Sequence, residues 1–268
     1  MSIFYFSPIF AAYMLVLAFI LGACIGSFVN CIEWRIHNKK GSILGRSNCP
    51  NCGHKLGFFD LIPIFSYIFL GGKCRYCKEK ISFRYLGVEL VFGAAFAGIL
   101  AYFGLSWQTL EYLILFAILL AAALSDIVTF EVPDTLHILA VVNFLAFLVT
   151  HEDPLNRLLW GVIAGLVYGA VLLIISLVAD KVYKKDTMGG ADIKLIAVLG
   201  LYFGLKSMLF LLILSCIVGL ILAMIFKAGW QREFPFIPAI VLSAYICIFI
   251  AVPFINWYLG LFHLDHNH

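Results

Sequence analysis

Charged residues are scarce in this chain: Asp, Glu, Lys and Arg make up 12% of its 268 residues, whereas hydrophobic residues make up 63%. A soluble domain has about 25% charged and about 45–50% apolar residues, so the composition excludes a soluble enzyme and identifies the lipid bilayer as the solvent. The net charge is only +3, which argues against a nucleic-acid partner. The sequence also lacks internal repeats and low-complexity linkers.

A basic segment is missing before the first apolar run, and this run is too long for a cleaved signal peptide. We therefore interpret it as a retained helix. Because a helix crosses the hydrocarbon with roughly 20 apolar residues, the sequence predicts an all-α polytopic membrane protein with about eight transmembrane helices. The predicted spans are residues 9–29, 86–103, 110–125, 135–150, 158–179, 192–204, 207–226 and 236–258.

Basic residues concentrate between the first and second spans, where ten of the 18 Lys and Arg residues lie. Because basic loops are retained in the cytoplasm, this loop is predicted to be cytoplasmic. With eight crossings, six further basic residues fall on the same side, and only Arg157 and Lys206 fall on the other. The asymmetry predicts that both termini lie outside.

Two C-x-x-C pairs lie in this loop, Cys49 with Cys52 and Cys74 with Cys77, separated by 21 residues. Thiolates at i and i+3 of a tight turn face one ion, so this spacing is typical of a tetrahedral zinc site. A structural metal would supply stability that so small a loop cannot obtain from packing. The alternative, two disulfides, requires an oxidising compartment.

These features divide the chain into three predicted parts. Residues 1–30 form the first transmembrane helix, residues 31–85 form a cytoplasmic zinc-binding loop, and residues 86–268 form a seven-helix membrane core. The four cysteines outside the C-x-x-C pairs lie in or beside apolar runs, and we interpret them as packing residues.

Two carboxylates lie at the edges of apolar spans. Asp126 closes the third predicted span and Asp192 opens the sixth, both at the cytoplasmic face. Charged groups at membrane depth are costly and mark functional sites. Two carboxylates that meet share a proton, so one can act as a general base on water while the other polarises a peptide carbonyl. The sequence thus suggests an intramembrane aspartic protease; the alternative is that each Asp only caps its helix.

The flanking residues favour the catalytic interpretation. Pro133 removes a backbone donor and favours an extended chain before the fourth span, and Gly189 with Gly190 frees the backbone before Asp192. Both features would open helix ends to water and to an extended peptide. Asp134 follows the Pro133 break, and no partner is predicted for it.

Two other classes of protein remain as alternatives. A transporter would place carboxylates or His residues face to face at mid-bilayer, whereas Asp126 and Asp192 lie at one edge and His137 is near the start of its span. A quinone-linked thiol oxidoreductase would use C-x-x-C pairs, but on the oxidising side of the membrane.

Taken together, these motifs resemble those of the type IV prepilin peptidases, over nearly the whole chain. Gly26-Ser27-Phe28-Val29-Asn30 with Arg35 looks like the exit of the family's first helix. The C-x-x-C pairs flank Asp60 to Tyr67 as they do there, and Ile81 to Tyr85 with Glu89 looks like the segment that re-enters the membrane. Asp126 with Val132-Pro133-Asp134, and Gly189-Gly190-Ala191-Asp192 with Lys194, match the two aspartate motifs. The chain departs from the family at Ala191, where glycine is usual, and at Glu33-Trp34.

The resemblance implies a bacterial inner-membrane enzyme that cuts the leader from prepilins or pseudopilins at the cytoplasmic border. It implies Asp126 and Asp192 as catalytic residues, with Gly189, Gly190, Lys194, Pro133 and Asp134 as active-site support. It also implies methylation of the new N-terminus with S-adenosylmethionine as methyl donor, with Ser27, Asn30 and Arg35 as candidate methyltransferase or substrate contacts. The sequence contains no glycine-rich nucleotide fingerprint.

Overall fold

The structure is a computed structural model that describes residues 7–37, 47–49, 51–184, 188–225 and 234–261, with side chains to residue 251 in the last range. Almost all of the regular structure in these ranges is helical. Six of the basic residues that support the predicted orientation lie outside the described residues: Lys39, Lys40, Arg46, Lys185, Lys227 and Arg232.

The described ranges contain eight α-helices and one 3-10 helix. They are α1 (Pro8–His37), the 3-10 helix Phe58–Asp60, α2 (Phe65–Phe69), α3 (Phe83–Phe103), α4 (Trp107–Thr129), α5 (Asp134–Leu148), α6 (Pro154–Tyr183), α7 (Gly190–Ile225) and α8 (Ile237–Leu261). Within these ranges, five helices are long and apolar enough to cross a membrane, namely α1, α3, α4, α6 and α7, and α5 and α8 contribute shorter apolar segments. The chain is therefore a helical membrane protein.

Within the described residues, each predicted span falls on a helix, although span 192–204 and the described part of span 207–226 both fall in α7. The first helix continues to His37, beyond the predicted end at residue 29. Its last turns carry Asn30 and Glu33, which are polar but buried, and the Asn30 amide donates to the Tyr85 carbonyl at 3.2 Å. Hydropathy misses this extension because Asn30 and Glu33 are polar, although the Asn30 amide has a partner on the neighbouring helix α3.

The chain divides into two compact units between Leu113 and Ile114, within α4. In the first unit, α1 packs against α3. A Cβ on Gly22 would lie 2.4 Å from the Phe92 carbonyl oxygen, and a Cβ on Gly26 would lie 3.0 Å from the Phe92 side chain. Glycines four residues apart thus let the two helices approach closely, as small residues do in membrane helix pairs.

In the second unit, α7 packs against α5, α6 and α8. Its contact with α6 is glycine-lined on both sides. A Cβ on Gly165 would lie 2.5 Å from the Ala197 carbonyl oxygen, and one on Gly200 would lie 2.4 Å from the Gly165 nitrogen. The two backbones therefore touch near these positions, and α6 holds the first part of α7 in place.

A break divides α7 at Gly204. Its φ of 65° and ψ of −179° are non-helical and belong to a region that is essentially restricted to glycine. At about 1.5 Å per residue, the 36 residues of α7 would extend about 54 Å as a straight helix, well beyond the roughly 30 Å of hydrocarbon. The break splits α7 into two shorter helical segments.

Candidate active site and metal centre

Asp126 lies in the last turn of α4 and is buried. Its Oδ2 accepts a hydrogen bond from the backbone N–H of Ile237 at 3.0 Å. Ile237 is the first residue of α8, where N–H groups lack partners inside the helix and the helix dipole is positive. Asp126 therefore caps α8 rather than its own helix, and this contact stabilises negative charge on its carboxylate.

The turn after Asp126 fixes the end of α4. Phe130 adopts a left-handed φ of 55°, and the hydroxyls of Ser125 and Thr129 donate to the Glu131 carbonyl at 2.9 and 3.0 Å. Pro133 is extended and immediately precedes α5. The predicted break before the fourth span is confirmed. The Glu131 side chain is exposed.

Asp192 is the third residue of α7 and is also buried. The Gly189 backbone forms a hydrogen bond with its carboxylate, and a Cβ on Gly189 would lie 3.2 Å from Asp192 Oδ2. Gly190 has open space where a side chain would stand. Ala191 is helical, so an L-residue fits there without strain, in place of the glycine usual in the similar family.

The structure brings the two carboxylates together. Asp126 is 7% exposed and Asp192 is 9% exposed, and the pair is close enough for its charges to interact directly. Like charges in a buried site repel each other, so ionisation of both carboxylates at once is disfavoured. Each lies at a helix end rather than at mid-helix, which disfavours the transporter alternative.

The same contacts show that α7 reverses direction at Gly204. Asp192 lies beside Asp126, which binds the start of α8, and the Phe236 ring just before α8 packs where a Cβ on Gly219 would stand. Residues 192 and 219 are therefore near the same end of the unit, whereas a straight helix would separate them by about 40 Å.

Asp134 does have a partner, contrary to the expectation from sequence. Lys194 Nζ lies 2.7 Å from Asp134 Oδ1, which joins the start of α5 to the first turns of α7. Lys194 is two residues after Asp192, so the ion pair connects the Pro133 turn to the segment that carries the second aspartate. Both side chains are more than half exposed, so solvent screens the pair.

His137 is a buried residue that the sequence analysis did not assign to the site. Its Nδ1 lies 4.0 Å from Asp134 Oδ1, and its ring is also close to the Ala191 backbone and to Lys194. The signal in the sequence was weak, because a lone His near the start of an apolar run is common in helix packing.

In the first unit, the two C-x-x-C pairs form matching turns. The N–H groups of Cys49 and Cys74 each donate to a carbonyl five residues later, at 2.9 and 2.8 Å. Four residues after each of these cysteines, Gly53 and Lys78 adopt left-handed φ values of 69° and 61°. The two turns thus have the same construction, and each directs its two thiols to one side.

The four thiols converge on a single point. All ligand atoms lie within 4.8 Å of one another, and Cys49 Sγ is 3.8 Å from Cys77 Sγ. A tetrahedral ion with metal–sulfur bonds of about 2.3 Å separates its sulfurs by about 3.8 Å. The four cysteines can therefore hold one metal ion, and a convergent set of four fits an ion better than two separate redox pairs.

Local hydrogen bonds prepare one of these thiols for a metal. The Glu79 backbone N–H and Asn51 lower the pKa of Cys77 to about 7, outweighing its partial desolvation. The pKa of Cys52 is raised to about 11, because desolvation and the thiols of Cys49 and Cys77 outweigh a hydrogen bond from the His54 backbone. Four adjacent thiolates repel one another, so they require a bound cation.

Asp60 links the second cysteine turn to the segment between the two turns. Arg75 Nε lies 2.6 Å from Asp60 Oδ1, the Gly57 N–H donates to Oδ2 at 3.1 Å, and the Tyr76 hydroxyl lies at 3.4 Å. Partial burial opposes the charge, but the bonds from Arg75 and Gly57 outweigh it and lower the pKa of Asp60. The carboxylate is therefore ionised at neutral pH and fixes residues 57–60 to the turn.

The sequence also predicts three site residues near the end of α1, and two of them form hydrogen bonds with α3. Ser27 forms a hydrogen bond with the buried Glu89, and Asn30 binds the Tyr85 carbonyl. Glu89 also accepts the N–H of Ile64 at 2.7 Å. These contacts join α1, α3 and the polar loop; the half-buried Arg35 lies one turn further along α1.

Comparison with protein families gives two matches that together cover most of the chain. The Bacterial Peptidase A24 N-terminal domain matches residues 20–103, and the Type IV leader peptidase family matches residues 113–224. The first match contains all four clustered cysteines, and the second contains Asp126 and Asp192. No solved structure matches the chain.

Several curated proteins are similar over nearly their full length. A protein of Neisseria gonorrhoeae is 32% identical over 91% of this chain and 94% of its own length. A protein of Bacillus subtilis is 30% identical over 92% of this chain and 99% of its own length, and one of Vibrio cholerae is 30% identical over 77% and 84%. All three are named prepilin leader peptidase/N-methyltransferase.

Proposed function

Because this chain belongs to the type IV leader peptidase family, we propose that it removes the leader from type IV prepilins or pseudopilins and methylates the new N-terminus. The observation that carries the peptidase assignment is the meeting of Asp126 and Asp192, two buried carboxylates on separate helix ends. The names of the similar proteins support both activities.

In the proposed reaction, the ionised member of the Asp126–Asp192 pair takes a proton from water, and the resulting hydroxide attacks the carbonyl carbon of the scissile peptide bond. The protonated member donates its proton to the carbonyl oxygen. Collapse of the tetrahedral intermediate breaks the C–N bond: the departing amine takes up a proton from one member of the pair, and a hydroxyl group of the intermediate returns a proton to the other. Open space at Gly190 and the extended backbone of Pro133 support access by an extended peptide.

We further propose eight crossings, with both termini outside and the cysteine loop in the cytoplasm of the bacterial inner membrane. The reversal of α7 at Gly204 supports counting its two segments as separate crossings. The surplus of basic residues between α1 and α3 supports a cytoplasmic loop. On this orientation, the Asp126–Asp192 pair lies at the cytoplasmic face, which is where a short basic leader would meet it.

Zinc is the proposed occupant of the four-cysteine cluster, in a structural role. The thiol set and its tetrahedral spacing fit zinc, and all four positions of the ion would be filled by sulfur. The ion would lock the two cysteine turns together and leave no open coordination position for substrate.

For methylation, S-adenosylmethionine is the proposed methyl donor, as the family resemblance implies. Ser27 and Asn30 are engaged with α3, and the sequence lacks a glycine-rich nucleotide loop. We propose Ser27, Asn30 and Arg35, at the end of α1, as contacts for the methyl donor or for the substrate.

The peptidase proposal is tested by expressing the chain with a candidate prepilin and measuring the pilin N-terminus by mass spectrometry. We expect Asp126→Asn, Asp192→Asn and the double variant each to reduce cleavage to near background, because residues that act as one unit are non-additive. Glu131→Gln is the matched control, since Glu131 is an exposed acid in the turn after Asp126, and it should cleave normally.

Methylation of a pilin that has already been cleaved should survive in all three variants if that activity resides in the cysteine loop and its flanks. Full cleavage by either single Asn variant, with the protein folded, would refute the two-aspartate proposal.

A further inference from the structure

The loop between the cysteine turns exposes an unusual number of large apolar side chains. Phe58 is 79% exposed, Phe59 73%, Phe65 55%, Ile68 60% and Phe69 83%. We call these five residues the aromatic face. A segment surrounded by water rarely exposes a contiguous apolar surface of this kind unless something binds it.

The five residues lie on two neighbouring short helices. Phe58 and Phe59 belong to the 3-10 helix, and Phe65, Ile68 and Phe69 belong to α2. The two helices border one open groove of about 690 Å³. The Phe65 and Phe69 rings are stacked, with centroids 6.4 Å apart. The exposed rings therefore form one surface rather than scattered positions.

A hydrogen bond fixes the depth of this surface along α3. The Ile64 N–H, just before α2, donates to Glu89 Oε2 at 2.7 Å. Glu89 is six residues past the first residue of α3, which is about 9 Å along the helix axis. The 21 residues of α3 extend about 31 Å, so nearly the whole helix is needed to cross roughly 30 Å of hydrocarbon. The start of α2 therefore lies at the membrane boundary rather than free in water.

The charges around the aromatic face suit an anionic lipid surface. Lys55, Lys73, Lys78 and Lys80 are all exposed on the two cysteine turns and outnumber the exposed Glu79 there, whereas Asp60 is already bound to Arg75. Exposed basic residues near a membrane surface strengthen binding to anionic lipids.

We propose that the aromatic face inserts into the interfacial layer of the adjacent leaflet, so that the cysteine loop docks on the bilayer as well as being tethered to it by α1 and α3. Interfacial helices bury their apolar side chains about 5–10 Å deep, and the rings of the aromatic face have the right exposure and depth. The Asp60 contacts with Arg75 and Tyr76 transmit this docking to the second cysteine turn. Docking of the loop on the bilayer is independent of the peptidase reaction.

An environment-sensitive fluorescent amino acid, introduced by amber suppression, tests the proposal in the full-length protein in lipid nanodiscs. The label replaces Phe69 in one protein and the exposed Glu79 of the second cysteine turn in the matched control. Nanodiscs contain phosphatidylcholine alone or with phosphatidylglycerol, with or without lipids that carry a nitroxide quencher near the headgroup. A zinc content equal to that of the unlabelled protein shows that the loop is folded in each case.

We expect the label at position 69 to be quenched at least about twofold more strongly than the label at position 79, and more strongly in anionic lipid. Equal quenching at the two positions would overturn the proposal. A blue shift of the label at position 69 that appears only with an added prepilin, without quenching by the nitroxide lipids, would also overturn it, because the aromatic face would then be a site for the apolar segment of a peptide.

Discussion

Asp192 and Lys194 are two residues apart on α7 and serve different neighbours. Asp192 is buried beside Asp126, whereas Lys194 is exposed and pairs with Asp134. In the proposed mechanism the contact between Asp192 and Asp126 carries out the reaction. The ion pair between Lys194 and Asp134 joins the start of α5 to the start of α7. Their nearness in sequence means that a loss of the ion pair can shift the carboxylate without removing it.

We therefore predict that Asp134→Asn and Lys194→Met each slow prepilin cleavage by less than about tenfold, which corresponds to about 1.4 kcal/mol. An exposed ion pair contributes only about 0.2–1 kcal/mol. The double variant should be no slower than the slower single variant, because both changes remove one contact. Initial cleavage rates measured by mass spectrometry test this. Background activity in Asp134→Asn would instead place Asp134 in the catalytic pair.

The sequence predicted the residues of the proposed site better than their contacts. Asp126 and Asp192 are recognisable because a carboxylate at the edge of a membrane span is energetically costly. The four cysteines are recognisable because the spacing of a C-x-x-C pair suits metal binding. The Ile237 amide has no such signal, because any backbone N–H looks alike in sequence. The Lys194 partner of Asp134 is also hidden, since it lies 60 residues away.

At the scale of elements, α7 depends on the backbone freedom of Gly204. We predict that Gly204→Ala lowers the free energy of unfolding by about 1–3 kcal/mol, the cost of holding a side chain in this φ/ψ region. No atom lies within 4 Å of the added Cβ, so the effect would come from backbone strain alone. Thermal unfolding in one detergent measures the difference.

Gly87→Ala in α3 is the matched control for this prediction. Gly87 also has open space for a Cβ but a normal helical backbone, so alanine should be neutral or slightly stabilising there. Equal destabilisation by the two variants would show that Gly204 does not require its special conformation.

For the cysteine loop, we predict that zinc binding holds the loop in its folded form. Elemental analysis should give about one zinc per chain, and Cys74→Ser should abolish zinc binding and increase proteolysis between residues 53 and 81. Cleavage of prepilin should be reduced but not abolished, because a closed four-thiolate site has no position for substrate. Cys216→Ser, an exposed cysteine outside the cluster, should retain zinc. A metal-free protein with wild-type proteolysis and activity would end the zinc proposal.

The helices themselves were largely predictable. Apolar runs at the length of a crossing identify them, and the polar gap between residues 204 and 207 predicted the break in α7. The helix ends were less predictable: α1 continues through the buried Asn30 and Glu33, and the Asn30 amide binds the Tyr85 carbonyl of α3. A partner helix can offset the cost of burying polar side chains, and the hydropathy of a single segment carries no information about that partner.

For the molecule as a whole, the number of crossings determines on which side of the membrane each loop lies. Fusions to green fluorescent protein and to alkaline phosphatase test this, because the first fluoresces in the cytoplasm and the second is active outside. We predict fluorescence for fusions after Glu79 and phosphatase activity for fusions after Glu152 and after the last residue of the chain. A fluorescent fusion at the last residue would indicate an odd number of crossings.

The hydrogen bond from the Ile237 amide to Asp126 also allows the protonation of Asp126 to be followed by spectroscopy. A hydrogen bond to a charged carboxylate is shorter and stronger than one to a neutral carboxyl group, so the nuclear magnetic resonance of this one amide changes whenever Asp126 gains or loses a proton. Isoleucine labelled with ¹⁵N would let the proton state be followed in protein at rest, without substrate or turnover.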